Sequence, residues 1–171
     1  MNLAFLALLR TIHVLAGAFW VGAAFLNAVF LIPSIMAAGP AGSQVMRGLV
    51  QVRRLPVFMN AVMAFTLLSG IGLYWRVSGF RLSWITSTGG LTLTFGALCA
   101  IATAGIGHSV TVPTVRKLGQ LGAEVAAAGG KPSPAQAADI DTLQRRLLRA
   151  AQVGSALVVV ATIAMALSRY V

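Results

Sequence analysis

Acidic side chains are almost missing from this sequence: 171 residues contain three Asp and Glu. All three, Glu124, Asp139 and Asp141, fall within residues 113–149 and none within a long apolar run. That argues against a pump working through a membrane carboxylate and against a hydrolase built on paired carboxylates. Cysteine is nearly absent too, with Cys99 alone. One thiol excludes an intramolecular disulfide, a Cys-x-x-Cys redox or zinc motif and Cys-x-x-Cys-His haem attachment. Cys99 lies in an apolar run, where it reads as a small buried hydrophobe or, alternatively, a copper ligand. No glycine-rich phosphate loop is present. Charge of either sign is scarce, at 9% of residues, against about 25% in a soluble domain. So few charges cannot cover a water-facing surface.

What fills the chain instead is apolar: 58% of residues are hydrophobic and the mean hydropathy is +0.87. Four runs, about 11–36, 57–78, 87–112 and 150–169, match the roughly 20 residues that cross a bilayer. The expected fold is an all-α integral membrane protein, a single domain over residues 1–171 built as a bundle of four transmembrane helices. The first run is too long for the h-region of a signal peptide, and Arg10 interrupts the apolar stretch rather than preceding it. It therefore reads as an uncleaved first helix.

Basic residues number 13 and leave a net charge of +10. In a soluble protein that excess would suggest nucleic acid, but no nucleic-acid motif accompanies it. Its distribution suits a bilayer better. Loop 38–56 holds Arg47, Arg53 and Arg54, and loop 113–149 holds Arg116, Lys117, Lys131, Arg145, Arg146 and Arg149. The opposite side has only Arg10, Arg76, Arg81 and Arg169. The positive-inside rule then makes both loops cytoplasmic and puts both termini outside, with anionic lipid headgroups as counter-charge.

These loops are themselves expected to be helical. "GSQVMRGLVQVRRLP" alternates apolar and basic residues at helical spacing, which suits a helix on the membrane surface, and Pro56 marks entry to the second span. Ser133 reads as an N-cap followed by Pro134 at the first helical position. The third and fourth helices then extend beyond the bilayer into a cytoplasmic hairpin. The fourth runs to Arg169, about 36 residues or roughly 54 Å. The three acids are placed to pair there with Lys117, Arg145 and Arg146.

Against this apolar background the polar residues inside the spans carry the functional signal. His13, Trp20 and Asn27 are spaced seven apart, which puts them on one helical face with Gly17 between. An imidazole is a good ligand for iron, copper or zinc, and Gly17, one turn on, would leave room for a flat macrocycle. The alternative is that His13 and Asn27 merely bond to neighbouring helices while Gly17 allows close packing. His108 is a second candidate ligand, in "AGIGHSVTVP", where Thr103 and Gly107 form a small-xxx-small pattern. It lies on the order of 20 Å deeper than His13, counting 1.5 Å per residue. Two imidazoles on one iron need nitrogens within about 4 Å, so one chain cannot clamp a single haem with both. Met59 and Met63, beside Asn60, either offer thioethers to Cu(I) or fill the core. Tyr74, Trp75 and Trp84 form an aromatic belt, and nearby Arg76 and Arg81 could hold haem propionates or lipid phosphates.

The run from His13 to Gly22, "HVLAGAFWVG", resembles the first helix of a group of bacterial membrane proteins. That group includes the CopD copper-resistance membrane domain and the HemJ-type protoporphyrinogen oxidases, and favours histidine, tryptophan seven residues on, then glycine. The likeness covers about fifteen residues, plus the four-helix hydropathy, and is nearest to short uncharacterised four-helix relatives. It implies a haem- or metal-associated bundle in the bacterial inner membrane with His13 as ligand. HemJ-type proteins carry a lysine in their third helix and this chain has none there, which speaks against porphyrinogen oxidation. The expected function is binding of haem b and electron transfer between a quinone or another membrane subunit and a partner at the outer face. Any catalytic role would be of the oxidoreductase kind. The alternatives are a copper-handling protein and an accessory subunit of a larger complex, with a homo-oligomer allowed by each.

Overall fold

Long acid-free runs of Leu, Ala, Val and Ile satisfy their backbone internally only as helix once water is excluded, and helix is what forms. The computed structural model describes residues 2–171, except for the side chain of Pro40. It is 89% helical with no strand among those residues. Four helices are long and apolar enough to cross a membrane: α1 (Leu3–Ala37), α3 (Leu55–Ser78), α5 (Thr88–Ala127) and α6 (Pro134–Leu167). Two shorter ones lie between them, α2 (Gly39–Arg47) and α4 (Leu82–Ile85).

Hydropathy and hydrogen bonding set different boundaries. α1 begins eight residues before the apolar run, because Asn2 accepts from the Phe5 N–H at 2.8 Å and caps the helix there. Arg10 therefore lies inside the helix. At the other end, α5 passes straight through Pro113. A proline lacks the N–H and crowds the carbonyl four residues back. The chain absorbs this in a wide turn over Gly107–Thr111, where the Val112 N–H reaches the Gly107 carbonyl. α1 uses the same device ahead of Pro33: a wide turn over Asn27–Leu31 closes with the Ile32 N–H on the Asn27 carbonyl. α6 opens with a full capping box. Ser133 accepts from the Gln136 N–H, and the Gln136 side chain accepts from the Ser133 N–H. Such a cap contributes about 1 kcal/mol.

The bundle is two antiparallel hairpins, α1 with α3 and α5 with α6. Small residues bring the second pair close. A Cβ on Gly96 would stand 3.0 Å from the Ala161 carbonyl oxygen and 3.1 Å from the Ala164 Cβ. Further along, the Thr103 hydroxyl lies 3.4 Å from the Gly154 carbonyl. Gly107 takes no part in this seam, since nothing lies within 4 Å of its Cβ position. The hairpins meet at a core of Trp20, Val62, Cys99, Ala100, Val158 and Ala161. A hydrogen bond of 2.7 Å between Tyr74 and Thr94 ties α3 to α5.

Outward faces stay apolar: Leu15, Leu68, Leu98 and Ile163, one from each long helix, are all exposed. Of the most apolar stretch of each helix only 17–33% is buried. Water would penalise such a surface, and lipid would not. The start of α1 and the end of α6 lie at one end of the bundle, here the terminal end. α2 and the α5–α6 loop form the opposite, hairpin end. The acids expected to knit that loop do so only once, through Asp141 and Arg145 one turn apart on α6. Among the described residues Lys117 and Arg146 have no carboxylate partner, so most of the basic charge there is unneutralised.

Candidate functional site

His13 projects from α1 onto α3, where three small residues, Thr66, Ser69 and Gly70, receive it. Its Nδ1 lies 2.9 Å from the Thr66 carbonyl oxygen. A carbonyl only accepts, so this bond puts a proton on Nδ1, and in the neutral ring Nε2 then carries the lone pair. Ser69 Oγ stands 3.3 Å from the same nitrogen. Its hydroxyl proton goes to carbonyls of its own helix, so towards the ring this oxygen is an acceptor too. Gly70 makes the approach possible. A Cβ there would be 2.9 Å from the imidazole Cε1, closer than real Cβ atoms come, and a tight 3.2 Å from Nδ1. Nε2 makes no hydrogen bond, yet no buried side-chain nitrogen or oxygen lacks a partner among the described residues. Nε2 is therefore not sealed inside the chain. An imidazole held at Nδ1 by a carbonyl, with Nε2 free, is the arrangement that orients histidine as a metal ligand.

The other residues singled out in the sequence separate from this point. Gly17 faces α3, and the space beside it is taken by the Thr66 methyl, 3.6 Å from where a Cβ would be. Trp20, 7% exposed, is a core residue. Asn27 donates its amide to the Ala23 carbonyl of its own helix at 2.8 Å, at the start of the wide turn. The stripe thus serves three environments: a neighbouring helix, the core and the helix backbone.

His108 is exposed on the wide turn of α5. Trp20 and Cys99 share one core. His13 lies seven residues from Trp20 towards the terminal end, and His108 nine from Cys99 towards the hairpin end. Their depths therefore differ by about 24 Å. Met59 and Met63 pack against the same core that contains Cys99, which gathers three sulfur side chains in one region. Arg76 and Arg81 are exposed, and the Arg81 Nε lies 3.5 Å from the Ser78 carbonyl. Arg76 is about 10 Å along the helix from Ser69. Arg10, exposed and one turn from His13, is the nearest cation along α1. Among the described residues no three His, Cys, Asp or Glu side chains are grouped to hold a metal ion.

Two cavities lie towards the hairpin end, of about 430 Å³ between α5 and α6 and about 180 Å³ between α2, the end of α1 and the α5–α6 extensions. Neither is lined by His13. The site offers one imidazole nitrogen. Thr66, Ser69 and Gly70 escaped the sequence reading because nothing local links them to His13. The one available signal was "TLLSGIG", a cluster of small residues in an otherwise bulky apolar run. No family model, no curated protein and no solved structure matches the chain.

Proposed function

We propose that this chain is a membrane-embedded protein that binds haem b and passes electrons, with His13 as an axial ligand. The observation that carries the reading is the bond from His13 Nδ1 to the Thr66 carbonyl. It sets the tautomer and the ring orientation that an iron ligand needs. The donor atom fits the group, and His13 would hold it through Nε2. Haem, when bound, supplies one-electron redox chemistry. The chain's own part is to hold the imidazole, to keep its proton on Nδ1 and to present Arg10 as a cation one turn away.

The test is an absorption spectrum after haem-replete expression. Wild-type protein and Trp20→Phe are expected to show a Soret band, and His13→Ala to lose it. A colourless wild type would end this reading. A second reading, an accessory subunit of a larger membrane complex, is favoured by the exposed apolar faces of all four long helices. It predicts no cofactor and a stable co-purifying partner. Copper handling draws support from Met59, Met63 and Cys99 sharing one core, and metal analysis of the same sample separates it from haem.

For location, we propose the bacterial inner membrane with both termini outside, supported by nine basic residues in the two loops of the hairpin end against four elsewhere. A C-terminal alkaline phosphatase fusion should then be active. An inactive fusion beside an active one in the α5–α6 loop would invert the topology.

A further inference from the structure

The 430 Å³ groove between α5 and α6 is lined by two chemistries. One part is formed by Thr142, Arg145, Arg146 and Arg149, and the other is apolar, including Ile106 and Val153. No carboxylate lines it. Arg145 is engaged by Asp141, while Arg146 and Arg149 have no acidic partner among the described residues.

The groove also sits at a boundary in the sequence. Arg149 is the last charged residue before a run, 150–168, that contains none. The basic part therefore lies just beyond the apolar length of α6 and the other part along it, with Val153 52% exposed. A ligand matching both parts has an anionic head and an apolar tail joined at one point. Guanidinium groups pair with phosphate oxygens through charge-assisted, often two-point hydrogen bonds.

We propose that this groove is a binding site for an acidic phospholipid, its phosphodiester on Arg146 and Arg149 and an acyl chain along Ile106 and Val153. General attraction to an anionic membrane would spread over all the basic residues of this end. A groove with two arginines free of acidic partners among the described residues and an apolar wall favours one lipid position. The proposal rests on the bilayer placement above and is independent of haem.

Native mass spectrometry of the detergent-purified full-length protein tests it, with phosphatidylglycerol, phosphatidylcholine and inorganic phosphate as separate probes. Phosphatidylglycerol should remain bound at a discrete stoichiometry and phosphatidylcholine should not. The Arg146→Gln/Arg149→Gln pair should reduce retention by about tenfold or more, as expected for lost charge-assisted bonds. Arg53→Gln/Arg54→Gln, which removes equal charge outside the groove, should leave retention unchanged. Melting curves check that both variants are folded, and phosphatidylglycerol should raise the melting temperature of wild type but not of the groove variant. Equal retention by the groove variant, or equal loss in the Arg53/Arg54 variant, overturns the site. Displacement of the lipid by millimolar inorganic phosphate would show a free-anion site and overturn the lipid assignment.

Discussion

Gly70→Leu is expected to unseat His13 and to destabilise the α1–α3 hairpin together. The first atom of the new side chain would already stand 2.9 Å from the imidazole Cε1 and 3.2 Å from Nδ1. Rotating the ring away breaks its bond to the Thr66 carbonyl. Overpacking of this kind costs about 1–3 kcal/mol, and stranding a partly buried polar group adds about 1–3 kcal/mol. Gly72 is the control two residues along the same helix. A Cβ there meets only the Leu9 Cδ1 at 3.2 Å, the far end of a flexible side chain. Melting temperatures in detergent should fall clearly for Gly70→Ala and Gly70→Leu and little for Gly72→Ala. If the protein binds haem through His13, the Soret band should weaken in the Gly70 variants as well. Gly70→Ala melting with Gly72→Ala would mean that the ring is not seated against α3.

Gly96→Val is expected to part α5 from α6. Here the two nearest obstructions have no rotatable bond to yield with: the added Cβ would lie 3.0 Å from the Ala161 carbonyl oxygen and 3.1 Å from the Ala164 Cβ. Neither can turn aside, so the helices must separate along a seam that also carries Cys99, Ala100, Val158 and Ala161. Close van der Waals contact is what holds helices together in lipid, where no hydrophobic drive separates them from solvent. A loss on the order of 3 kcal/mol follows from overpacking at such a contact. Gly105, on the same helix, has nothing within 4 Å of its Cβ position. Gly105→Val should therefore be close to neutral, because it only exchanges one weak helix former for another. Thermal melts of the two valine variants decide the matter, and equal melting temperatures would rule out the tight α5–α6 seam.

Much of this architecture follows from local chemistry. Four apolar lengths make four helices because a helix alone satisfies its backbone without water. The Ser133 cap and the turn before it are likewise properties of a few adjacent residues. Local rules already falter at the ends of the spans. The apolar run begins after Arg10, but the helix begins at Leu3, since side-chain polarity on the surface does not interrupt backbone hydrogen bonds. The continuation of α5 past Pro113, by contrast, agrees with the extended third helix expected from the sequence, and a wide turn accommodates the ring.

From its spacing alone, His13 could be placed on a stripe with Trp20 and Asn27, and Gly17 read as clearance beside it. Its actual neighbours, Thr66, Ser69 and Gly70, lie more than fifty residues away in the chain. Only the antiparallel register of α1 on α3 brings them together, and that same register fills the space at Gly17 with a methyl group. The arginine groove arises in the same way, from α6 side chains standing over apolar positions of α5. Helix formation is decided within a turn or two of chain, so the sequence determined the four long apolar helices. Which helix faces meet depends on where small residues on two separate helices allow contact, and that was decided only by the tertiary structure.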